Sequence, residues 1–362
     1  MKLLDACELI VDCPHSTAKD EGSGYPLIRT PNVGRGRLKF DGVHRVSYET
    51  YCARNERAVP QTDDLILARE APVGNVAIIK KGQQVCLGQR TVLIRPNKKI
   101  VESNFLVYYL LSPQMQHILL STANGATVSH LNMADIRKLE INLPDLEVQK
   151  KIGNLLSIIE DKIENNNEIN DNLSQQVQAI FKEMFPDILN PDASDLMGSI
   201  VSFSNGKKRP QSDGMIPVYG GNGILAYTSE SNAENCIIIG RVGAYCGNTF
   251  ICTNKCWVSD NAIKAESKVS DSQIFIYYLL TNASLPSRHI GTSQPLLTQG
   301  ILNSIPILKP SEEAMHRFIN IAEPIQEIID KRIIENNMLA ALRDALLPKL
   351  MSGELDVSEI DI

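Results

Sequence analysis

The chain has 362 residues, 43 % of them apolar, with eight cysteines and a formal net charge of −6, enough for at least two domains with separate cores. No run of about eighteen apolar residues spans a bilayer, and Asp5, Glu8 and Asp12 break up the stretch a signal peptide would need, so a cytoplasmic protein with no membrane partner is expected. The acid is unevenly placed: residues 1–144 carry 18 basic against 14 acidic side chains, 145–190 carry 4 against 9, 191–310 carry 9 against 8, and 311–362 carry 5 against 11, so two balanced to mildly basic segments can approach phosphates while two acidic ones face something else.

Residues 1–144 read as a first mixed domain, with strands at Leu65-Ile66-Leu67 and Val92-Leu93-Ile94 and a short helix over Phe105–Leu111. From Asp145 to about Phe185 the pattern turns helical. Apolar residues at 152, 155, 159, 169, 173 and 180 follow a heptad seam, and Lys162, Asn166 and Gln176 place polar groups in it. Pro186 and Pro191 end this spacer, which occupies 145–190. A second mixed domain over 191–310 supplies Cys236-Ile237-Ile238-Ile239 and Phe275–Leu280 in the order of the first. A second helical segment over 311–362 runs to about Leu347, with Pro324 expected to kink or interrupt it.

The second half repeats the first. Gly125, Leu131 and Pro144 return as Gly291, Leu297 and Pro310, each 166 positions on, and the register holds through Ile152 with Phe318, Ile159 with Ile325, Leu173 with Leu339 and Ile180 with Leu346. Arg69 and Arg241 follow corresponding strands, and each precedes a Gly-Asn pair, Gly74-Asn75 and Gly247-Asn248. The expected fold class is therefore α+β: two mixed α/β domains separated by two long helices that pair as an antiparallel coiled coil, with an internal pseudo-twofold repeat.

No active-site motif stands out. There is no phosphate loop, no H-E-x-x-H and no G-x-S-x-G elbow. Gly221 to Ala226 matches G-x-G-x-x-A, but a strand-like segment follows it rather than a helix, which argues against dinucleotide binding. Cys236, Cys246, Cys252 and Cys256 crowd together without a C-x-x-C pair or a nearby His, so small buried thiols are expected rather than a metal site. What recurs is a set of polar and basic residues in glycine-rich loops. The first domain has Arg29, Arg35, Arg37, Arg69, Gln89, Arg90, Thr127, Ser129, His130 and Asn132. The second has Lys207, Lys208, Arg209, Tyr219, Asn222, Arg241, Asp260, Asn261, Ser293, Gln294 and Thr298. Arg, Asn and Gln can bond base edges bidentately, and glycine lets backbone approach a phosphate.

At these residues the chain resembles the DNA-specificity subunit of a type I restriction-modification enzyme, over nearly its whole length. The resemblance rests on Gly125 to Leu131 leading into Ile141-Asn142-Leu143-Pro144 and Glu147 to Ile152, on Tyr219-Gly220-Gly221-Asn222-Gly223, and on Leu342 to Leu355. The second copy departs from it with Glu313-Ala314-Met315 where the first has Glu147-Val148-Gln149. It implies a non-catalytic clamp on double-stranded DNA, each lobe reading half of a bipartite site and the helices setting the gap. It also implies two methyltransferase (modification) subunits docked on the helices, at residues such as Ile152, Ile159, Leu173, Ile325, Leu339 and Leu346, and two restriction (translocase/nuclease) subunits joined to that core. This chain would hold no cofactor, with S-adenosylmethionine, ATP and Mg on the partners. The residues implied near DNA are Arg29, Arg35, Arg69, Arg90, Thr127, His130, Lys207, Tyr219, Asn222, Arg241 and Gln294. The competing reading is a coiled-coil protein-interaction scaffold without DNA specificity.

Overall fold

The computed structural model describes residues 1–123, 129–291 and 294–357. The first domain contains β1 (Cys7–Asp12), β2 (Tyr25–Ile28), β3 (Gly36–Arg37), β4 (His44–Val46), α1 (Tyr48–Arg54), β5 (Leu65–Ala68), β6 (Val76–Ile78), β7 (Cys86–Leu87), β8 (Thr91–Pro96), α2 (Ser103–Leu111), α3 (Pro113–Thr122) and α4 (Met133–Lys138). The long helix α5 covers Leu146–Met184. The second domain contains β9 (Asp195–Leu196), β10 (Val201–Asn205), β11 (Ile216–Gly220), β12 (Gly223–Thr228), β13 (Ala233–Gly240), β14 (Thr249–Val258), β15 (Ala262–Ser267), α6 (Gln273–Asn282), α7 (Gln299–Asn303) and β16 (Pro306–Ile307), and α8 covers Glu312–Ser352.

Two compact units divide the chain, one formed by residues 1–166 with 334–362 and the other by 167–333. The boundary falls inside both long helices, so each unit takes in part of α5 and part of α8.

In the first unit the sheet order is β1-β8-β5-β6-β3, with a separate sheet β4-β2-β7. Strands β5 and β8 carry almost uninterrupted buried apolar residues because both their faces are covered. Phe105, Leu106 and Leu110 of α2 close one face, and the same core takes in Ile152 and Leu156 of α5 and Leu347 and Leu350 of α8. The two helix segments run antiparallel, since numbers rise along α5 as they fall along α8. Glu160 pairs with Arg343, Lys162 Nζ lies 3.5 Å from Glu335, and buried Asn166 donates to Glu335 and Asn336, each at 2.8 Å. Asn166 thus holds a polar register point in the seam, as its heptad position predicts. Gln176 does not: it is exposed and bonds Asn172 of its own helix.

In the second unit one six-stranded sheet has the order β10-β15-β13-β14-β11-β12. The pairings repeat those of the first lobe: β1 with β8 as β10 with β15, β5 with β8 as β13 with β15, β5 with β6 as β13 with β14, and β2 with β4 as β11 with β12, all antiparallel. The ten-residue β14 does the work of β6 and β7 together, pairing β13 on one side and β11, in parallel, on the other. That fusion makes one sheet where the first lobe has two. Phe181 and Phe185 of α5, Phe275 and Tyr278 of α6, and Phe318 of α8 form an aromatic core, with Phe181 and Phe318 edge to face at 5.2 Å.

Helix α8 runs without a break through Pro324. The proline removes one intrahelical donor and frees the Asn320 carbonyl. Both residues are exposed, so the freed carbonyl lies on the solvent side of the helix, while buried Phe318, Ile319 and Ala322 anchor the inner face. The different helix starts also have different consequences. Buried Gln149 donates to the carbonyls of Ile100 and Pro144 and accepts from the Glu102 N–H, whereas its counterpart Met315 packs into the aromatic core.

Phe181, 1 % exposed, is the shared partner of four aromatic rings. Phe181→Ala is expected to lower unfolding stability by about 3–5 kcal/mol, measured by urea denaturation.

Candidate nucleic-acid interface

The loops that follow β1, β2 and β5 and precede β8 meet at one end of the first lobe. Their frame is backbone hydrogen bonding: Arg69 N–H to Arg90 O at 2.8 Å, Leu131 N–H to Arg69 O at 3.1 Å, Ala68 N–H to Asn75 O at 2.8 Å, Gly74 N–H to Ala68 O at 3.0 Å and Gly88 N–H to Ile28 O at 2.8 Å. The second lobe repeats every one. Arg241 N–H donates to Asn261 O at 3.0 Å, Leu297 N–H to Arg241 O at 2.9 Å, Gly240 N–H to Asn248 O at 2.8 Å, Gly247 N–H to Gly240 O at 2.8 Å and Ser259 N–H to Tyr219 O at 2.9 Å. The repeated Arg and Gly-Asn positions therefore mark the frame.

Side chains on this frame differ between the lobes. Arg69 is bound from two directions, Nη1 to both carboxylate oxygens of Asp12 at 2.8 and 2.9 Å and Nε to the Leu131 carbonyl at 2.7 Å. With 16 % of its side chain exposed, it ties β1 to the segment entering α4. Cys13 N–H bonds Thr91 O as Gly206 N–H bonds Ala262 O, which sets Asn205 in the place of Asp12. Arg241 accordingly has no carboxylate there, and its buried Nε has no hydrogen-bond partner. It makes no ion pair among the described residues.

The other predicted residues are brought together in part. Arg90 adopts φ +65° and stays 60 % exposed while pairing with Glu70 at 2.9 Å. Arg29 is half-buried with its Cγ over Gly88, and its Nε has no partner. His130 lies 3.2 Å from the Asn132 amide oxygen. Arg35 is elsewhere, donating to the Leu111 carbonyl at the end of α2 at 3.3 Å. Arg37 belongs to the core support, bonded to Tyr108, Ser157 and Asp161. Thr127 and Ser293 lie outside the described residues.

In the second lobe Lys207, Lys208 and Arg209 form an exposed basic run, and the Lys207 carbonyl accepts from Trp257 Nε1 at 3.2 Å. Asn222 and Gln294 are exposed. Tyr219 is not: its ring turns inward onto Phe250 and the Cys252 thiol, where burial raises its pKa. Cys236 and Cys256 lie with sulfurs 3.6 Å apart, and the hydrogen bond between them, with burial, pushes the Cys256 thiol up to about 12. Cys236, Cys246, Cys252 and Cys256 are buried core groups, and no cluster of three or more His, Cys, Asp or Glu suited to a metal occurs among the described residues.

The helix residues expected to dock partners face inward instead. Ile152 and Ile159 are buried, Ile325 and Leu346 pack against the cores, and Leu173 and Leu339 are half-buried. Heptad periodicity marks the seam and not the outer face. On α8 the outward apolar row is Ile334, Met338 and Leu342, 48 %, 66 % and 48 % exposed. Their counterparts 166 positions earlier, Glu168, Asn172 and Gln176, are polar.

The family model of the type I restriction modification DNA specificity domain matches residues 2–175 and 198–341. The specificity subunit of the type I restriction enzyme MjaIX of Methanocaldococcus jannaschii is 25 % identical over 346 residues, covering 82 % of this chain and 78 % of that protein. That of HindI from Haemophilus influenzae is 34 % identical over 98 residues, covering 26 % of this chain and 21 % of its own length. The crystal structure of the type I restriction-modification S subunit from M. genitalium superposes with TM-score 0.57 at 18 % identity, covering 97 % of this chain and 95 % of that one. No helix among the described residues is long and apolar enough to cross a membrane.

Arg69→Ala leaves Asp12 without its main partner and is expected to cost about 2 kcal/mol of stability, visible as a lower thermal midpoint. Arg241→Ala, which breaks no ion pair among the described residues, is expected to leave that midpoint within about 2 °C.

Proposed function

We propose that the chain, which belongs to the type I restriction modification DNA specificity domain family, is the sequence-reading subunit of a type I restriction-modification system, each lobe reading one half of a bipartite site. One observation carries this reading. The same loop frame is built twice with equivalent hydrogen bonds and is furnished with different side chains, Asp12 with Arg69 in one lobe and Asn205 with Arg241 in the other. A conserved frame with divergent furnishing suits two readers of two different sequences. Exposed cations at Arg90, Lys207, Lys208 and Arg209 suit phosphate contacts, which position a protein on the duplex while base-edge contacts specify.

The helices act as spacer and docking frame. Two modification subunits bind along them, with Ile334, Met338 and Leu342 supplying the apolar part of one docking surface, and two restriction subunits join that core. Methylation and ATP-dependent cleavage belong to those partners, together with S-adenosylmethionine, ATP and Mg²⁺. A scaffold without DNA specificity lacks support from the family assignment, and a shallow salt dependence of DNA binding would favour it, because release of counterions from several phosphates makes true binding fall steeply with salt.

Mapping methylated adenines in the host genome is expected to yield one bipartite motif with a fixed gap. Inserting four residues after Asn167 is expected to change that gap while leaving both half-site sequences intact. An unaltered gap would refute the spacer role, and methylation without sequence preference would refute the function.

A further inference from the structure

The tip of the β11–β12 hairpin in the second lobe has an unusual surface for a polar loop. Gly220, Gly221, Asn222 and Gly223 make the turn, with Gly223 at φ +87°. Between Val218 and Tyr219 the pairing register shifts, since Val218 opposes Ala226 and Tyr219 opposes Ile224. Leu225 is therefore the extra residue of a β-bulge, and bulges re-aim side chains. Its side chain lies across Gly220, where a Cβ would come 2.5 Å from Leu225 Cδ1. Tyr245 stands on the other side. A Cβ on Gly221 would lie 3.5 Å from Tyr245 Cβ and 3.4 Å from Gly240 Cα, and one on Gly240 would collide with the Tyr245 carbonyl.

Leu225 and Tyr245 nevertheless remain 50 % and 48 % exposed, beside exposed Asn222 and Ile224. Arg241, which makes no ion pair among the described residues, directly follows Gly240, and the basic run Lys207 to Arg209 connects to the hairpin through Ser259, which bridges Lys207 and donates to the Tyr219 carbonyl. Apolar side chains framed by cations at a hairpin tip are poorly suited to water and well suited to a DNA groove. The β11–β12 pair forms the edge of its sheet, and the major groove admits a two-stranded ribbon.

We propose that this tip reads an A·T pair in the half-site of the second lobe, Leu225 and Tyr245 packing on the thymine methyl and Asn222 bonding the adenine edge. The inference rests on the reading of the lobes as DNA recognisers. An A·T pair is the one that offers a C5-methyl on one base and the N6/N7 donor-acceptor pair on the other in the major groove. The first lobe is built for something else at this place. Its Ile28 carbonyl takes the Gly88 N–H as Tyr219 takes that of Ser259, so Arg29 stands where the second lobe has Gly220. A guanidinium there suits a guanine edge.

The test uses the full chain assembled with its modification subunits, on the duplex identified by methylation mapping. Each thymine in both halves is replaced in turn by deoxyuridine, which removes only the methyl, and binding is measured by competition. At least one position, confined to one half, is expected to weaken binding about fourfold, the factor associated with one buried methyl. Leu225→Ala and Tyr245→Ala are expected to abolish that sensitivity and leave the other half unaffected, while Leu225→Met retains it; the cycle of protein and DNA changes isolates the contact. Sequence-specific binding with no deoxyuridine effect, or an effect that persists in both alanine variants, overturns this inference and leaves the proposed function standing. Absence of any sequence preference overturns both.

Discussion

The structure depends on the way each long helix spends its single apolar stripe. A solitary helix of about forty residues with one narrow seam has too little area to hold itself folded in water. Here the stripe of α5 is shared between two cores, Ile152 and Leu156 in the first and Val177, Phe181 and Phe185 in the second. Helix α8 does the same in the opposite order, with Met315 and Phe318 in the second core and Leu347 and Leu350 in the first. Antiparallel pairing is the arrangement that lets both helices serve both cores. The polar groups then set the register: Asn166 with Glu335 and Asn336, and Glu160 with Arg343.

Upon that base, function is a matter of what the loops carry. The backbone frame is the same in both lobes to the level of individual hydrogen bonds, so the frame itself holds no sequence information. Discrimination has to reside in side chains the frame does not need. Arg69 is instructive because its position repeats as Arg241 while its role does not. A carboxylate at Asp12 converts one guanidinium into a structural tie, and an amide at Asn205 leaves the other without an ion pair among the described residues.

Much of this was legible in the amino-acid sequence, and what escaped did so for definable reasons. The 166-residue offset, the two long helices and the strands at Leu65, Val92 and Cys236 follow from periodicity, which is local. The tie between Asp12 and Arg69 joins residues 57 apart in the chain and leaves no local trace. Tyr219 lies in a loop-like glycine run, yet strand alternation turns its ring onto Phe250. Burial of the heptad residues Ile152 and Ile159 is not legible in sequence, because a seam and an outer face look alike in a list of apolar positions. The register shift that turns Leu225 outward depends on its pairing with β11, which only tertiary structure defines.

The sharing of helices also bears on the order in which the chain can acquire its structure. The second unit is contiguous, residues 167–333, and holds all of its own core partners. The first unit needs Leu347, Leu350 and Val357 to cover Leu156 and its neighbours. A chain growing from its N-terminus therefore leaves part of the first lobe's core open until α8 has been made, while the second lobe can close ahead of it. Chaperone dependence should fall on the N-terminal lobe, whose exposed apolar surface lasts longest on the ribosome.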